Sequence, residues 1–296
     1  MRPSTPMSQS APIARLVSDW FAANARDLPW REPGTTAWGV LVSEVMSQQT
    51  PVRRVEPVWR EWMERWPTPA DLAAEPTGEA IRAWGRLGYP RRALRLHAAA
   101  VAVAGDHDNV VPDTIAALEA LPGIGTYTAR AVAAFAHRQR HPVVDTNVRR
   151  VVARAVAGNP DAGMATTAAD LRATETLLPD DAEAAAVASA ALMELGALIC
   201  TARAPVCARC PLADDCAWHA KGEALPEGPS RKPQKYTGTD RHVRGLIMAV
   251  LREADDPVAR VALDTVWHEP DRRERALTGL VADGLVVEGA GGFRLP

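Results

Sequence analysis

The sequence has no apolar run long enough to cross a membrane, and no apolar signal-peptide segment follows its N-terminal Arg2. We therefore expect a cytoplasmic protein without a membrane partner. Cysteine is also scarce, with four residues in a chain of 296, and disulfides would be out of place in a cytosolic protein. Hydrophobic residues make up 47% of the chain, which suffices for a substantial core in one large or several small domains.

A strong charge of either sign is missing as well, because the formal net charge is −2. The total gives no indication of a nucleic-acid partner, but the distribution does. Residues 82–97 contain five arginines and no acid, and residues 137–154 contain five arginines with Asp145 as the single acid. Runs of charge are most often solvated helix faces, yet two arginine clusters of this kind favour a surface that contacts the DNA backbone.

The stretch from Thr114 to Arg154 carries the pattern on which the functional interpretation depends. Two apolar helices joined by Leu121-Pro122-Gly123-Ile124-Gly125 predict a helix-hairpin-helix. Gly123 and Gly125 let the backbone turn and approach a ligand closely, and the amides that open the second helix can bind an anion such as a DNA phosphate. A plain structural corner between two helices is the alternative interpretation.

Two carboxylates stand in settings that would give them different chemistry. Glu44 lies in the apolar segment TAWGVLVSEVMSQQT, where poor solvation raises the pKa of a carboxyl group and favours a neutral acid. A pairing with Arg53 or Arg54 at the helix edge is the alternative. Asp145 directly precedes an amphipathic helix, so we expect an N-cap that the helix terminus and Asn147 keep ionised.

These motifs resemble those of one enzyme family. LPGIG, followed about twenty residues later by VVDTNVRRV, is similar to the motifs of the endonuclease III/MutY superfamily of base-excision DNA glycosylases, and SEVMSQQT resembles the signature of its MutY branch. The resemblance implies a mainly α helix-hairpin-helix glycosylase fold that acts on double-stranded DNA. It also implies hydrolysis of the N-glycosidic bond of adenine mispaired with 8-oxoguanine or guanine.

The resemblance assigns roles to individual residues. Glu44 would protonate the adenine ring, and Asp145 would stabilise the sugar cation. Asn147 and Tyr127 would support Asp145. The adenine pocket would include Arg26, Leu28, Trp30 and Arg31. The residues expected to contact DNA are Gln48, Gln49, Tyr89, Leu121, Gly123 and Gly125.

Position 127 separates two chemistries of the superfamily. In the lyase branch, the second hairpin helix carries a lysine whose amine forms a Schiff base with the sugar. This chain has Tyr127 there, in LPGIGTYTA, and the nearest downstream lysine is Lys221. Tyrosine cannot form an imine, so the sequence predicts a monofunctional glycosylase.

All four cysteines lie in one segment, separated by six, two and five residues: Cys200, Cys207, Cys210 and Cys216. By count, four thiolates suit a structural zinc ion and a [4Fe–4S] cluster equally well. Zinc sites more often have two short CxxC arms, and this segment has one. The spacing matches that of the [4Fe–4S] loop in the superfamily, so the resemblance implies this cofactor, in a structural role.

The resemblance covers roughly residues 12–220, and composition suggests the remaining divisions. We expect a monomer whose last residues form three helices and a β-hairpin, a small winged-helix-like module that either binds DNA or caps the catalytic domain. The predicted divisions are a disordered tail at 1–11, a helical bundle with the hairpin at 28–138, an iron–sulfur cluster domain at 12–27 and 139–220, a linker at 221–240 and the winged-helix-like module at 241–296.

The sequence departs from the family pattern at three points. Pro90 replaces the second tyrosine of a GLGYY segment whose first tyrosine matches Tyr89. Ala190 stands where the family often has a glutamine or glutamate facing the adenine edge. No Phe-Ser-His tripeptide occurs, and the last 56 residues are too few for the family's 8-oxoguanine-reading domain. Two alternatives therefore stay open: a G·T or G·U mismatch pyrimidine DNA glycosylase, and a non-catalytic iron–sulfur DNA-binding protein.

Overall fold

The computed structural model describes residues 10–163, 165–225 and 236–296. This part of the chain is mainly α-helical, as the resemblance implies, and none of its helices is long and apolar enough to span a membrane. The α-helices are α1 (Ser10–Asn24), α2 (Ala37–Ser47), α3 (Val52–Arg65), α4 (Pro69–Ala73), α5 (Thr77–Trp84), α6 (Arg91–Asp106), α7 (Ile115–Ala120), α8 (Thr126–Phe135), α9 (Thr146–Ala155), α10 (Ala168–Glu175), α11 (Ala182–Leu198), α12 (Asp240–Glu253), α13 (Arg260–Leu263) and α14 (Pro270–Ala282). The strands β1 (Val287–Gly289) and β2 (Gly292–Arg294) form an antiparallel pair.

The chain divides into two compact units. The first comprises Met1–Leu41, Asp113–Glu119 and Ile124–Pro229, and the second comprises Val42–Pro112, Ala120–Gly123 and Ser230–Pro296. This division shares the bundle of residues 28–138 between the units and joins the C-terminal residues to the second unit. The domain boundaries drawn from the sequence stay a prediction.

Two of the predicted divisions fall partly outside the described residues. Of the tail at 1–11, residues 1–9 lie outside them, and α1 already begins at Ser10. Of the linker at 221–240, residues 226–235 lie outside them, and α12 begins at Asp240.

Helix α11 is the centre of the first unit, where it packs against α1, α8 and α9. Its sequence is rich in alanine, which favours the helix and lets neighbouring helices come close. Val17, Val148 and Leu192 belong to the buried core around it. The approach is closest at Gly196, where an added Cβ would lie 2.7 Å from the Cβ and the carbonyl oxygen of Asn147.

Three tryptophans make up much of the core of the second unit. The ring of Trp62 meets Trp66 edge-on with centroids 4.9 Å apart, and it meets Trp84 in the same way at 5.6 Å. All three side chains are fully buried. Edge-to-face pairs of this kind contribute about 0.5–1.5 kcal/mol beyond the burial of apolar area. They hold together helices α3 and α5, which carry Trp62 and Trp84.

The C-terminal module, residues 240–296, has the three helices and the β-hairpin that the sequence predicts, although α13 is shorter than its pattern suggests. Helix α12 buries Val243, Ile247 and Leu251 and packs against α14. In the hairpin, Glu288 stands opposite Phe293.

Hydrogen bonds to main-chain carbonyls attach the C-terminal module to α5 within the second unit. The Gly78 N–H donates to the carbonyl of Pro296 at 2.6 Å, and Nη2 of Arg82 donates to the carbonyl of Ala254 at 3.1 Å. A Cβ at position 78 would lie 2.5 Å from the Pro296 oxygen. Only glycine therefore allows this contact.

Replacing Gly196 tests the close approach of α9 and α11. Gly196→Ala should lower the free energy of unfolding by about 1–3 kcal/mol, because the new methyl group overlaps Asn147. Urea unfolding measures the change. Gly105→Ala is the matched control, since this helical glycine is exposed and has nothing within 4 Å of an added Cβ; it should be neutral or gain up to ~1 kcal/mol. Equal stability of the two variants would contradict the packing described.

Candidate functional site

The predicted helix-hairpin-helix is present as α7, a turn and α8. Leu121 is buried at the end of α7, and Gly123 has a φ of +77°. A Cβ on Gly123 would lie 2.6 Å from the Cβ of Arg95, so both the backbone angle and the space require glycine. Gly125 is the N-cap of α8 and provides no side-chain cap. The start of α8 is thus built as an anion site would be.

Asp145 caps α9, as the sequence predicts. Its Oδ1 accepts hydrogen bonds from the main-chain N–H groups of Asn147 at 2.8 Å and Val148 at 2.7 Å, and its Oδ2 accepts one from Nδ2 of Asn147 at 2.9 Å. Three donors therefore hold the carboxylate in one orientation. Tyr127, half-buried on α8, packs in the same unit against the small cluster of Ala131, Ala134 and Val143.

The pKa of the Asp145 carboxyl group shifts in the opposite direction from the one that its cap predicts. Burial raises the pKa of this carboxyl group above its ordinary value, even though the hydrogen bonds from Val148 and Asn147 act in the opposite direction. The cap alone predicts a lowered pKa. Desolvation outweighs it, because burial has the largest single effect on the pKa of this carboxyl group. The hydrogen bonds therefore fix the orientation of the Asp145 carboxyl group, while burial disfavours its ionised form.

A series of hydrogen bonds connects Asp145 with the first cysteine. Asn147, which donates to Asp145, accepts from Nη2 of Arg150 at 2.7 Å. Arg150 also donates from Nη2 to the carbonyl of Gly196 at 2.7 Å and from Nε to the carbonyl of Cys200 at 2.6 Å. The side chains of α9 thus link the candidate catalytic carboxylate to the cysteine segment.

The predicted base-pocket segment is fixed by an acid that the sequence analysis missed. Glu194 on α11 has no exposed side-chain surface and accepts from Nε of Arg26 at 2.7 Å and from Nη2 of Arg31 at 3.0 Å. Burial opposes ionisation of Glu194, but the hydrogen bonds and charges of Arg26 and Arg31 prevail and lower its pKa to about 2. An acid in so apolar a helix was the signal available, since a buried carboxylate needs a partner.

The other residues of the predicted adenine pocket lie between Arg26 and Arg31 in the sequence. Leu28 is buried and Trp30 is half-buried, and Pro29–Arg31 form a single 3₁₀ turn. Ala190, the position that departs from the family pattern, is half-buried on α11 one turn before Glu194.

Glu44 lies in the middle of α2, half-buried between a buried serine and a buried valine, Ser43 and Val45. It belongs to the second unit, whereas Asp145 belongs to the first. Gln48 is half-buried just beyond the end of α2, and Gln49 is exposed with a φ of +54°. Glu44 and the two glutamines therefore lie on one continuous stretch of chain.

Buried Arg92 connects that stretch to the turn that carries Tyr89. Its Nη1 donates to the carbonyls of Val45 at 2.8 Å and Met46 at 3.0 Å, and its Nη2 donates to Oγ1 of Thr50 at 2.9 Å and the carbonyl of Gly88 at 3.0 Å. Burial lowers the pKa of Arg92 to about 10. One guanidinium group thus satisfies carbonyl groups at the end of α2. It also connects the turn that follows α2 with the turn that carries Tyr89.

The four cysteines line one cavity in the first unit. Apolar side chains share the lining with Arg154 and His219, among them Leu195, Ile199 and Trp218. Arg154 is 1% exposed, and its Nη1 lies 3.5 Å from Sγ of Cys200 while its guanidinium stacks on Trp218. A buried cation beside sulfur fits a thiolate ligand better than a thiol.

The chemistry of this donor set fits a cluster of iron and sulfide. Burial raises the pKa values of Cys207 and Cys210 to about 11, with a contribution from Glu223 at Cys207. Without a cation close by, these two thiols would stay protonated at neutral pH. A bound metal ion displaces such protons. When bound, a [4Fe–4S] cluster would be held by Cys200, Cys207, Cys210 and Cys216 and would tie the loop to α9 and α11.

Two family models match the chain. The HhH-GPD superfamily of base excision DNA repair proteins matches residues 42–179, and the iron–sulfur binding domain of endonuclease III matches residues 200–216. The second match contains all four cysteines, which confirms the predicted [4Fe–4S] loop.

Two of the curated relatives cover nearly the whole chain. The adenine DNA glycosylase of Mycobacterium tuberculosis H37Rv is 55% identical over 289 residues, 95% of this chain and 94% of its own. That of Mycolicibacterium smegmatis is 55% identical over 92% of each chain, and that of Homo sapiens is 38% identical over 67% of this chain and 37% of its own. Among solved structures, a thermostable thymine-DNA glycosylase has a TM-score of 0.63 at 26% identity, covering 70% of this chain and 95% of its own. A trapped endonuclease III–DNA intermediate has a TM-score of 0.60 at 22% identity, covering 72% and 96%, and shares the fold.

Asp145→Asn tests the balance between burial and capping. Because burial raises the folded-state pKa, the folded parent binds a proton more tightly than the unfolded chain does. Lowering the pH through that pKa should therefore stabilise the parent relative to the variant, which cannot titrate. Thermal unfolding of both proteins from neutral to mildly acidic pH measures the difference. A parent that instead loses stability relative to the variant on acidification would show that the hydrogen bonds dominate.

Arg154→Met tests the cation beside Cys200. The substitution keeps the volume but removes the charge and the hydrogen bonds to the carbonyls of Thr201 and Ala202. We expect fewer irons per chain and faster bleaching of the cluster absorbance in air. Arg172→Met, on α10 in the same unit, is the control. Equal iron content and bleaching rates in the two variants would remove Arg154 from the account of the cluster site.

Proposed function

The chain belongs to the HhH-GPD superfamily of base excision DNA repair proteins, in its adenine DNA glycosylase family, and from this premise we propose that it removes adenine mispaired with guanine or 8-oxoguanine in double-stranded DNA. The observation that carries the proposal is the 55% identity to adenine DNA glycosylases over 95% of the chain. The enzyme would hydrolyse the N-glycosidic bond and leave an abasic site.

The proposed reaction divides between two carboxyl groups. The adenine must first leave the base stack to reach them. Glu44 gives a proton to a ring nitrogen of adenine, so that the base takes the electrons of the breaking C1′–N bond and leaves as neutral adenine. Asp145 faces the sugar cation that develops at C1′. Water then adds to C1′ and its proton passes to the Glu44 carboxylate, which restores the starting state of the enzyme.

The hydrogen bonds around Asp145 support this role. Asn147 and Val148 hold the carboxylate before any substrate binds, and a preorganised charge needs no reorientation during the reaction. The raised pKa of Asp145 has a consequence for catalysis, because the sugar cation is stabilised only by the ionised form. Adenine release should therefore fall when the pH falls through that pKa.

The adenine pocket in this proposal includes Arg26, Leu28, Trp30 and Arg31. Glu194 holds both arginines, so their positions do not depend on the substrate. Trp30, half-buried, offers a ring for stacking on the base. With alanine at position 190, the edge of adenine would be read by fewer side-chain hydrogen bonds than the family pattern suggests.

DNA contacts are assigned to the hairpin and to the two turns fixed by Arg92. The start of α8 at Gly125 would bind a phosphate, with Leu121 and Gly123 shaping the turn. Gln48, Gln49 and Tyr89 would contact the duplex at the mispair. We further propose that the enzyme works as a monomer in the cytoplasm. The cluster itself takes part in no reaction step.

A mismatch-specific pyrimidine glycosylase is the second candidate. The likeness to a thermostable thymine-DNA glycosylase favours it, and such an enzyme would also need no lysine at position 127. Release assays on duplexes with A·G, A·8-oxoguanine, G·T and G·U pairs separate the two, with the freed base identified by mass spectrometry. Release of free adenine would support the proposed activity. Release of free thymine or uracil would instead show a pyrimidine glycosylase.

Glu44→Gln should abolish adenine release while duplex binding stays close to that of the parent. The substitution keeps the shape but removes the transferable proton, a contribution of typically ~10²–10⁴-fold in rate. Single-turnover release and binding to the same duplex measure the two effects. Glu61→Gln, exposed on α3, is the matched control and should keep full activity. Near-parental release by Glu44→Gln would refute the assigned proton donor.

The enzyme should leave an intact abasic site, with strand breakage only after alkali. Borohydride should trap no protein–DNA adduct, because Tyr127 offers no amine. Tyr127→Lys should introduce trapping, and Tyr127→Phe should not. Efficient trapping by the parent protein would show that an amine elsewhere in the chain attacks the sugar.

A further inference from the structure

An exposed row of aromatic and arginine side chains lies on the second unit, outside the residues assigned to chemistry. We call it the tyrosine–arginine row; it consists of Tyr89, Arg241 and Tyr236. The Cζ of Arg241 lies 4.8 Å from the ring centroid of Tyr89 and 6.0 Å from that of Tyr236. The arginine of the C-terminal module thus lies within 6.0 Å of the centroids of both tyrosine rings.

The exposure of these rings calls for an explanation. Tyr89 is 44% exposed and Tyr236 is 51% exposed. The whole chain has three tyrosines, so two of them are placed on one small surface. Exposed aromatic side chains grouped with cations mark binding sites more often than single exposed residues do.

Tyr89 is held rigidly. The residue has a φ of +50° and follows Gly88 at +87°, and Arg92 fixes the turn through the Gly88 carbonyl. The guanidinium of Arg92 lies 5.7 Å from the Tyr89 ring centroid. A tyrosine in the left-handed region is strained, and its conformation is set by the turn rather than by the exposed ring.

Arg241 is also attached to a rigid element. It lies in the first turn of α12, whose N-cap Thr239 accepts from the N–H of His242. The contacts of Gly78 with Pro296 and of Arg82 with Ala254 anchor the C-terminal module to α5. The distance between Arg241 and Tyr89 is thus set by two anchored elements and not by a mobile tail.

The chemistry of the row suits an unstacked purine nucleotide. Tyrosine faces stack on bases, and an arginine beside them can donate two hydrogen bonds to the O6 and N7 edge of a guanine. When adenine leaves the duplex, its partner purine loses both its pairing and part of its stacking. Resting on the proposed function, we propose that the tyrosine–arginine row binds this unpaired partner purine, with Arg241 as the residue that reads its edge.

This proposal gives the C-terminal module a function. The module is too short for the reading domain of longer relatives, yet it brings the guanidinium of Arg241 to within 4.8 Å of the Tyr89 ring centroid. It acts on substrate DNA and is more than a cap on α5. Arg241 is a positioning and specificity residue and does not take part in bond cleavage.

A comparison with and without the partner base tests the proposal on the full-length, cluster-loaded protein. One duplex carries a non-hydrolysable adenine nucleotide opposite guanine, and the other carries it opposite an abasic analogue that has no base. The parent should bind the first duplex more tightly. Arg241→Ala should weaken binding to the first duplex about tenfold or more and leave binding to the second nearly unchanged, as expected for one lost arginine–base contact.

Arg275→Ala is the matched control. Arg275 is exposed on α14 of the same module and carries the same charge, so its removal should affect both duplexes equally and weakly. Tyr236→Leu is the second row variant and should show the same dependence on the partner base as Arg241→Ala. Thermal unfolding checks that every variant keeps the parent's folded state.

The outcomes separate this proposal from the proposed function. If Arg241→Ala weakened both duplexes equally, Arg241 would be a phosphate contact and the proposal would be overturned. If neither row variant changed either affinity, the row would serve a partner other than DNA, which also overturns it. Failure of the parent to release adenine from hydrolysable duplexes would refute the proposed function instead, since these binding measurements require no turnover.

Discussion

The structure depends on buried and half-buried guanidinium groups that donate to main-chain carbonyl oxygens. A carbonyl group shut away from water must find a donor, and the ends of helices and the irregular loops between them leave many carbonyls without one. Arg92 satisfies four acceptors in the second unit. Arg150 and Arg154 do the same for the main chain around the first cysteine. Arginine suits this task because its planar fork has five donors in fixed directions.

The same constraint explains why irregular segments can carry the candidate functional groups. Gln49 and Tyr89 adopt positive φ angles that would be poorly defined in an unsupported loop, and Arg92 holds the chain on both sides of them. Asp145 receives its orientation from Asn147, and Asn147 receives its own from Arg150. Each group is therefore positioned by a second side chain whose place is set by the core. Burial has a cost, which appears as the lowered pKa of Arg92 and the raised pKa of Asp145.

Structural features that depend only on neighbouring residues were predictable from local patterns in the sequence. The hairpin at Gly123, the cap at Asp145 and the spacing of the cysteines are local, and family models and structure agree with them. Contacts between distant residues could not be predicted in this way. Glu194 forms an ion pair with Arg26, which lies 168 residues away in the sequence. The direction of the Asp145 pKa shift follows from burial, which the cap motif does not reveal. The elements of the C-terminal module were predictable, but its attachment through Gly78 was not.

The most direct test of the central claim is a crystal structure of the cluster-loaded protein bound to a duplex with a non-hydrolysable adenine nucleotide opposite guanine. The account predicts an extruded adenine whose ring nitrogen lies within hydrogen-bond reach of Glu44, roughly 3 Å, with the Asp145 carboxylate facing C1′ of the same nucleotide. An extruded thymine or guanine in that place, or an adenine whose ring nitrogens and sugar contact neither carboxyl group, would contradict it.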